Sequence, residues 1–278
     1  MSFTILVDSC CDLPPELRSD PAFQVIPLTV RVDGRDFVDD AQLDTSLLVC
    51  AMNESEGPSS SSCPAPGDYL DAYRAADGDI YVVTLSALLS GSHNSARQAA
   101  ALFQEEQPER NIRVFNSCSA SAGEVALAWK IYELAGSGLE FARVVDQADQ
   151  VIRESNTLFV LDNLDNLRKN GRLTKVQSLL TGALRVKLVM GSTPQGEICR
   201  HGQALSVRQA LGKLVELMAS DPRHVGKRLV IAQCLCPDRA RQLKELALER
   251  CAFSEIVITA TRGVSSYYAN SGGIVAAY

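Results

Sequence analysis

The stretch "DIYVVTLSALLSGSHNSARQAAA" (residues 79–101) begins as an apolar strand and continues as a helix. Its first part is a short run of β-branched and aromatic residues, which is typical of a buried strand. Its last part places Ala96, Ala99, Ala100 and, just beyond, Phe103 at helical spacing. Parallel strands need a crossover between them, so a strand that leads into a helix predicts an α/β fold.

The same alternation of strands and helices continues along the rest of the chain. "FQVIPLTVRVDGRDF" contains a turn signal at Asp33–Gly34 and predicts a hairpin. This alternation predicts mostly parallel sheets covered by helices on both faces. Further buried strands are predicted at "FTILV", "NIRVF", "TLFVLD", "RVKLVMGST", "RLVIAQCL" and "EIVITA".

The length of the chain predicts two domains. A sequence of 278 residues is longer than most single cores. We place the boundary before "TLFVLDN", which predicts two α/β domains at residues 1–155 and 156–278.

Charge and composition argue against several classes of protein. The net charge is −6 and no block of basic residues occurs, so nucleic acid is not the expected partner. No segment approaches the ~18–20 uncharged apolar residues of a membrane span, so stable membrane insertion is not expected. The start "MSFTILVDSC" lacks a basic region and predicts a first strand in a cytoplasmic protein.

Cysteine usage predicts reduced thiols. The nine cysteines are an odd number at scattered positions. Cys234 and Cys236 are close together, but the chain has no C-x-x-C pair and three histidines in all, so no metal site is expected.

The turn at Ser90–Ser95 is the first candidate binding site. Ligands of open α/β sheets lie at the carboxyl ends of strands, where helix N-termini attract anions. A carboxylate or a phosphate would suit this turn, but Ser90 or Ser92 in the role of a simple helix cap explains the same residues. The spacing alone leaves both interpretations open.

Two more predicted strands end in small polar residues. Asp8 and Ser9 follow the first strand, and Asn116 follows another. These strand ends are expected to meet at one edge of the sheet, although an Asp in this place is also a common helix cap. No Ser–His–acid arrangement is visible.

Two other segments have open interpretations. The serine-rich segment "NESEGPSSSSCPAPGDY" (residues 53–69) is either a solvated loop or a lip over a pocket. An apolar stripe at helical spacing is either core packing or a wall that faces lipid, and it comprises Leu173, Val176, Leu179, Leu180 and Leu184.

Five segments, taken in order, resemble the DegV family of fatty-acid-binding proteins. They extend from near the N-terminus into the second half, and the likeness continues to the final strand. The segments are "ILVDSCCDLPPEL", "SSCPAPGDY", "LSALLSGSHNSARQAA", "FNSCSASAGEVALA" and "LDNLDNLRKNGRLTK".

The resemblance implies a two-domain α/β protein that holds one long-chain fatty acid between its domains, with no other cofactor. We expect a chain of about 16–18 carbons, with the C-terminal domain forming the acyl-chain pocket. The resemblance also implies that the protein is not itself an enzyme. It would present the carboxylate to a separate ATP-binding kinase subunit of the DAK2 type, which makes an acyl phosphate.

The same resemblance implies a set of site residues. The carboxylate would be bound by Ser61, Ser62 and Ser90, with Gly91 and Ser92 allowing close backbone approach. A helix N-terminus with hydroxyls suits a carboxylate. Asp8, Ser9, Asn116 and Asn270 are expected to support this set from behind.

The sequence departs from the family pattern near its C-terminus. Many members have a histidine near the ligand head, whereas "SSYYANSGGIVAAY" has Ala269 or Asn270 near that position. The resemblance is therefore to a branch without this histidine. An arginine often found in the family has two candidate counterparts, Arg200 and Arg208.

A second function remains open. Asp8, Ser90 and Asn116 could serve a stand-alone enzyme that acts on a small anionic metabolite at the strand ends. That function requires a short polar pocket, whereas a fatty acid requires a long apolar one.

Overall fold

The structure of the protein, a computed structural model, describes residues 2–173 and 186–278. The strands are β1 (Phe3–Asp8), β2 (Phe23–Ile26), β3 (Thr29–Val32), β4 (Arg35–Val38), β5 (Ser59–Ser62), β6 (Asp79–Thr84), β7 (Ile112–Asn116), β8 (Thr157–Val160), β9 (Lys187–Ser192), β10 (Ile198–Ala204), β11 (Arg228–Gln233), β12 (Glu255–Ala260) and β13 (Ile274–Ala277). The helices are α1 (Pro15–Arg18), α2 (Thr45–Glu54), α3 (Pro66–Ala75), α4 (Ser92–Glu106), α5 (Ala122–Gly136), α6 (Phe141–Glu154), α7 (Asp165–Lys169), α8 (Val207–Ser220), α9 (Pro237–Arg250) and α10 (Gly263–Ala269).

The first sheet is parallel and has the order β2-β1-β6-β7. Successive residues of β1 point to opposite faces, so both faces must be covered. Leu6 packs with α3 and α4, whereas Ile5 and Val7 pack with α5 and α6. The α/β class and the parallel sheet predicted from the opening stretch are confirmed.

Helix α5 lies between the two large sheets. It contacts β1 and β6 of the first sheet and β11 and β13 of the second. Because it is covered from both sides, Val125, Leu127, Ala128 and Ile131 are almost fully buried. This helix joins the cores of the two halves.

The second sheet is mixed, with the order β10-β9-β8-β13-β11-β12. The pair β11–β12 is parallel, and the other pairs are antiparallel. The expectation of mostly parallel strands therefore needs correction for this half. β9 and β10 are joined by a short turn, which forces an antiparallel pair, whereas β11 and β12 are joined by α9.

The small third sheet has the order β4-β3-β5 and is antiparallel. Its β3–β4 hairpin turns at Asp33–Gly34, where both residues have positive φ (50° and 78°), as predicted. Within the serine-rich segment, Ser59–Ser62 is strand β5, so the solvated-loop interpretation is wrong there. Serine has little intrinsic preference for strands, and pairing with β3 decides the conformation.

Three further expectations concern the domain boundary, the apolar stripe and membrane insertion. Helix α6 ends at Glu154 and β8 begins at Thr157, while the division into domains 1–155 and 156–278 stays a prediction. Leu173 of the apolar stripe is buried, but the other stripe positions lie outside the described residues. Within the described ranges, no helix is long and apolar enough to cross a membrane.

Candidate functional site

A cavity of about 110 Å³ lies where the two halves meet. At about 10–15 Å³ for each water molecule, it has room for roughly seven to eleven of them. The first half contributes Cys10, Leu85, Leu89 and the turn at residues 119–121. The second half contributes a mainly apolar wall of Phe159, Leu161, Leu167, Ile198, Val264, Ala269 and Val275.

The β9–β10 turn closes one side of the cavity by contacting the first half. The Ser86 hydroxyl donates a hydrogen bond of 2.8 Å to the Gly196 carbonyl. Gly196 has a φ of +87°, and a Cβ added there would lie 2.4 Å from Ser86 Oγ. This turn therefore needs glycine, both for its backbone conformation and for the close approach.

Arg172 and Tyr268 form a polar group at the cavity. The guanidinium of Arg172 lies 5.8 Å from the ring centre of Tyr268, and its Nε donates to the Leu89 carbonyl at 3.1 Å. Among the described residues that line the cavity, Arg172 has the one cationic side chain and Glu197 has the one carboxyl group. Burial raises the pKa of Tyr268, so its phenol stays protonated at neutral pH.

Ser61 joins this group through Tyr268. Its hydroxyl lies 2.7 Å from the Tyr268 phenol oxygen, and Ser61 itself is half-buried. Ser62 alternates to the opposite face of β5 and is exposed. The two serines therefore do not act from the same face, and only Ser61 reaches the cavity group.

The turn before α4 contains Ser90, Gly91 and Ser92. The Ser90 hydroxyl accepts a hydrogen bond of 3.2 Å from the Ser92 backbone N–H, a local contact of the turn that precedes the N-cap residue Gly91. A Cβ at Gly91 would lie 3.0 Å from Cys63 Sγ, so this turn lies close to the chain that follows β5. The structure thus brings together the two serine segments expected to hold a carboxylate.

The Ser92 side chain has an internal role. Its hydroxyl donates to Asp8 Oδ2 at 2.7 Å and lies 2.7 Å from the Tyr69 phenol oxygen. Ser92 is fully buried, so its hydroxyl is occupied by these partners. The expected close approach of a carboxylate to the Ser92 backbone stays a prediction.

Asp8, Ser9 and Asn116 hold the loops behind the site. Asp8 accepts hydrogen bonds from the backbone N–H groups of Cys10 and Leu85 at 3.1 and 2.9 Å. Ser9 Oγ accepts from the N–H of Leu28 at 3.0 Å. Asn116 Oδ1 accepts from Ala87 and Cys118 at 3.0 and 3.2 Å. These hydrogen bonds fix the loops in place, while the expected support of a bound head group stays a prediction.

Ala269 and Asn270, the two residues expected near the ligand head, have different surroundings. Ala269 lines the cavity, whereas Asn270 does not. Asn270 follows the end of α10 with a φ of 53°, and its N–H donates to the Ser266 carbonyl at 2.9 Å. At the cavity, the Ala269 methyl group is therefore the side chain of this pair that faces the enclosed space.

Buried carboxyls lie beside the loop at residues 8–12. Burial raises the pKa of Asp8 to about 6, although Ser92 and Leu85 donate hydrogen bonds that oppose the rise. Burial likewise raises the pKa of Asp12 to about 7, against hydrogen bonds from Ser121 and the Arg262 N–H. Burial and the Asp8 charge raise the pKa of Glu124 well above its usual range.

No metal centre is found in the described part of the chain. There, no group of three or more His, Cys, Asp or Glu side chains is arranged to hold a metal ion. Cys234 and Cys236 are free thiols, as are the other seven cysteines.

Arg172 and Tyr268 are not among the site residues predicted from the sequence. Arg172 lies in the quoted segment "LDNLDNLRKNGRLTK", directly after Gly171 in a turn with a φ of +76°. Arg200 and Arg208, the two candidates considered, do not line the cavity. An arginine directly after a glycine turn was the signal that the sequence offered for this site. The contact of Arg172 with Tyr268 cannot be predicted from the spacing of residues along the chain.

Comparison with known proteins agrees with this architecture. The family model described as an uncharacterised protein of the DegV family matches residues 2–278. A DegV domain-containing protein of Streptococcus gordonii is 34% identical over 280 residues, which is 100% of this chain and 99% of that protein.

Two solved structures are similar over the whole chain. A DegV-family protein of Ruminococcus gnavus, refined with vaccenic acid, is 42% identical with a TM-score of 0.96 and 100% coverage of both chains. The Fatty Acid Kinase (Fak) B3 protein of Streptococcus pneumoniae, loaded with linoleic acid, is 33% identical with a TM-score of 0.93. That match covers 100% of this chain and 99% of the other.

Proposed function

The chain belongs to the DegV family, and on that premise we propose that it binds one long-chain fatty acid in the cavity between its two halves. Similar proteins of this fold hold vaccenic acid and linoleic acid. We take residues 1–155 and 156–278 as the two domains that enclose the ligand.

The observation that carries the proposal is the composition of the cavity wall. Phe159, Leu161, Leu167 and Ile198 supply an apolar surface, and Arg172 stands with Tyr268 and Ser61 as a polar group. A ligand with an apolar tail and one anionic head matches this division. Burial of each methylene contributes about 0.8 kcal/mol, so the tail supplies affinity.

The head group is assigned to Arg172, Ser61 and Ser90. The Ser90 oxygen accepts from the Ser92 N–H through a lone pair, which leaves its own O–H proton available to a carboxylate. Arg172 supplies positive charge, which suits a carboxylate better than a neutral head group. These groups set the orientation of the ligand.

We further propose that this protein presents the carboxylate to a separate kinase subunit and performs no catalysis itself. Leu89 and Arg172 line both the cavity and an open surface groove, so a head group at Arg172 would be within reach of a partner. In the transfer, a carboxylate oxygen forms a bond to the terminal phosphorus of ATP. The bond to the leaving ADP oxygen breaks and its electron pair leaves with ADP.

A stand-alone enzyme on a small anion gains no support from the geometry. Asp8 and Asn116, two of its three expected groups, are occupied by hydrogen bonds to backbone N–H groups. The cavity wall is also mainly apolar, which does not suit a compact polar metabolite.

Native mass spectrometry followed by solvent extraction tests lipid binding. We expect about one fatty acid per chain, of roughly 16–18 carbons. Repeated preparations that carry no lipid and take none up would overturn the proposal. Presentation is tested by mixing the loaded protein with a kinase subunit and ATP, where acyl phosphate is expected to form. No acyl phosphate with any such subunit would limit the role to binding.

A further inference from the structure

An open groove of about 530 Å³ lies beside the cavity on the outer surface. It is formed by residues 87–91, the first turns of α4 and residues 170–172. Leu89 and Arg172 belong to both the groove and the cavity wall, so the two spaces adjoin at these residues. A ligand whose chain fills the cavity can therefore extend its head into the groove past Arg172.

The groove is cationic. Its titratable lining side chains are His93, Arg97 and Arg172, and no carboxylate is among its described lining residues. Burial lowers the pKa of His93, and the charges of Arg97 and Arg113 lower it further. His93 is therefore neutral at pH 7, and Arg97 and Arg172 supply the positive charge.

Arg97 has no carboxylate partner among the ion pairs of residues 2–173 and 186–278. Arg113, which acts on the same histidine, is paired with Asp149 at 3.0 Å. Arg97 is exposed on α4, and the start of this 15-residue helix adds partial positive charge to the same groove. Arg97 plays no part in the cavity, so fatty acid binding gives no account of it.

We propose that this groove binds the phosphoryl group of an acyl phosphate, with Arg97 as its specific contact, while the acyl chain stays in the cavity. This inference rests on the proposed function, since it assigns a site to the product of phosphoryl transfer. A phosphate monoester carries about two negative charges near pH 7, compared with one for a carboxylate. The larger head extends beyond Arg172 to Arg97, and two arginines balance its charge.

The test measures displacement of a fluorescent fatty acid by three probes: palmitic acid, hexadecanol and hexadecyl phosphate, a stable phosphate monoester. The variant is Arg97→Ala. The matched control is Arg143→Ala, which removes one exposed arginine from α6 and leaves the net charge of the two variants equal. We expect Arg97→Ala to lower the affinity for hexadecyl phosphate by roughly three- to tenfold. Palmitic acid and hexadecanol should change little, and Arg143→Ala should change none of the three.

Salt gives an independent measurement. Raising the ionic strength should lower the affinity for hexadecyl phosphate more in the unmodified protein than in Arg97→Ala. The reason is that salt screens the exposed charge pair between Arg97 and the phosphate. Inorganic phosphate alone separates an acyl phosphate site from a general phosphate site. We expect it to compete poorly, because it lacks the chain.

Three results would overturn the inference: equal losses for all probes, no loss for hexadecyl phosphate, or inorganic phosphate binding as well as the monoester. Failure of the proposed function looks different. In that case the unmodified protein binds neither palmitic acid nor hexadecyl phosphate, and both proposals fall. If the unmodified protein binds palmitic acid but its affinity for hexadecyl phosphate does not depend on Arg97, only the proposal for the groove is overturned.

Discussion

Tyr268 and Ser61 lie 207 residues apart in the chain, and their side-chain oxygens meet at 2.7 Å. The contact joins α10 of the second half to β5 of the small sheet at the polar group of the cavity. It ties the position of Ser61 to the wall that also carries Arg172.

Tyr268→Phe should therefore weaken fatty acid binding several-fold while the fold is kept. The ring still packs beside Arg172, but Ser61 loses its partner, at a cost of about 1 kcal/mol in the free energy of unfolding. Displacement titration and thermal melting check this. Tyr132→Phe, which removes a phenol bonded to Asp20 away from the cavity, is the control. Unchanged affinity in Tyr268→Phe would contradict a role for Ser61.

Arg172→Ala should lower the affinity for palmitic acid roughly tenfold and leave hexadecanol nearly unaffected, because the guanidinium interacts with the charged head. Arg172→Lys should recover part of the loss, since it restores charge without the planar fork. Arg208→Ala, an exposed arginine outside the cavity, serves as the matched control. A similar loss for acid and alcohol would mean that Arg172 acts by packing and not by charge.

Ser90→Ala separates a carboxylate ligand from a helix cap. A hydrogen bond to a charged group contributes ~1.5–3 kcal/mol, so we expect a ten- to hundredfold loss for the acid. The methyl ester should change little, with about 0.5–1 kcal/mol lost from the free energy of unfolding through the Ser92 N–H contact. Ser62→Ala, on the exposed face of β5, should affect neither ligand. Equal losses for acid and ester in Ser90→Ala would leave Ser90 as a cap only.

Asp12→Asn tests the buried carboxyls through the pH dependence of stability. The folded pKa of Asp12 is raised to about 7, above the ordinary value of about 3.9. Its contribution to stability is therefore complete below pH ~4 and is lost as the pH rises through 7. Asparagine does not ionise but offers one acceptor oxygen in place of two, so one of the hydrogen bonds from Ser121 and the Arg262 N–H is lost. The variant should therefore be less stable than the unmodified protein at low pH and have a flatter profile between about pH 4 and pH 7.

Asp221→Asn is the control of opposite sign for this profile. The Arg223 guanidinium lowers the pKa of Asp221, so its contribution is present at neutral pH and is lost on acidification. This variant should lose stability at pH 7. A profile unchanged in Asp12→Asn would show that Asp12 does not titrate in this range.

Features of the fold that arise from neighbouring residues could be predicted from the amino-acid sequence. Apolar periodicity at residues 79–103 specified a strand and then a helix, and Asp33–Gly34 specified the hairpin, because both act within a few residues. The ordered motifs also sufficed for the family. The strand at Ser59–Ser62 depends instead on tertiary contacts, since its partner β3 supplies the pairing that serine does not favour. Only the tertiary structure, too, brought Arg172, Tyr268 and Ser61 together. Burial and pairing between distant segments depend on how the two halves pack, and no local spacing carries that information.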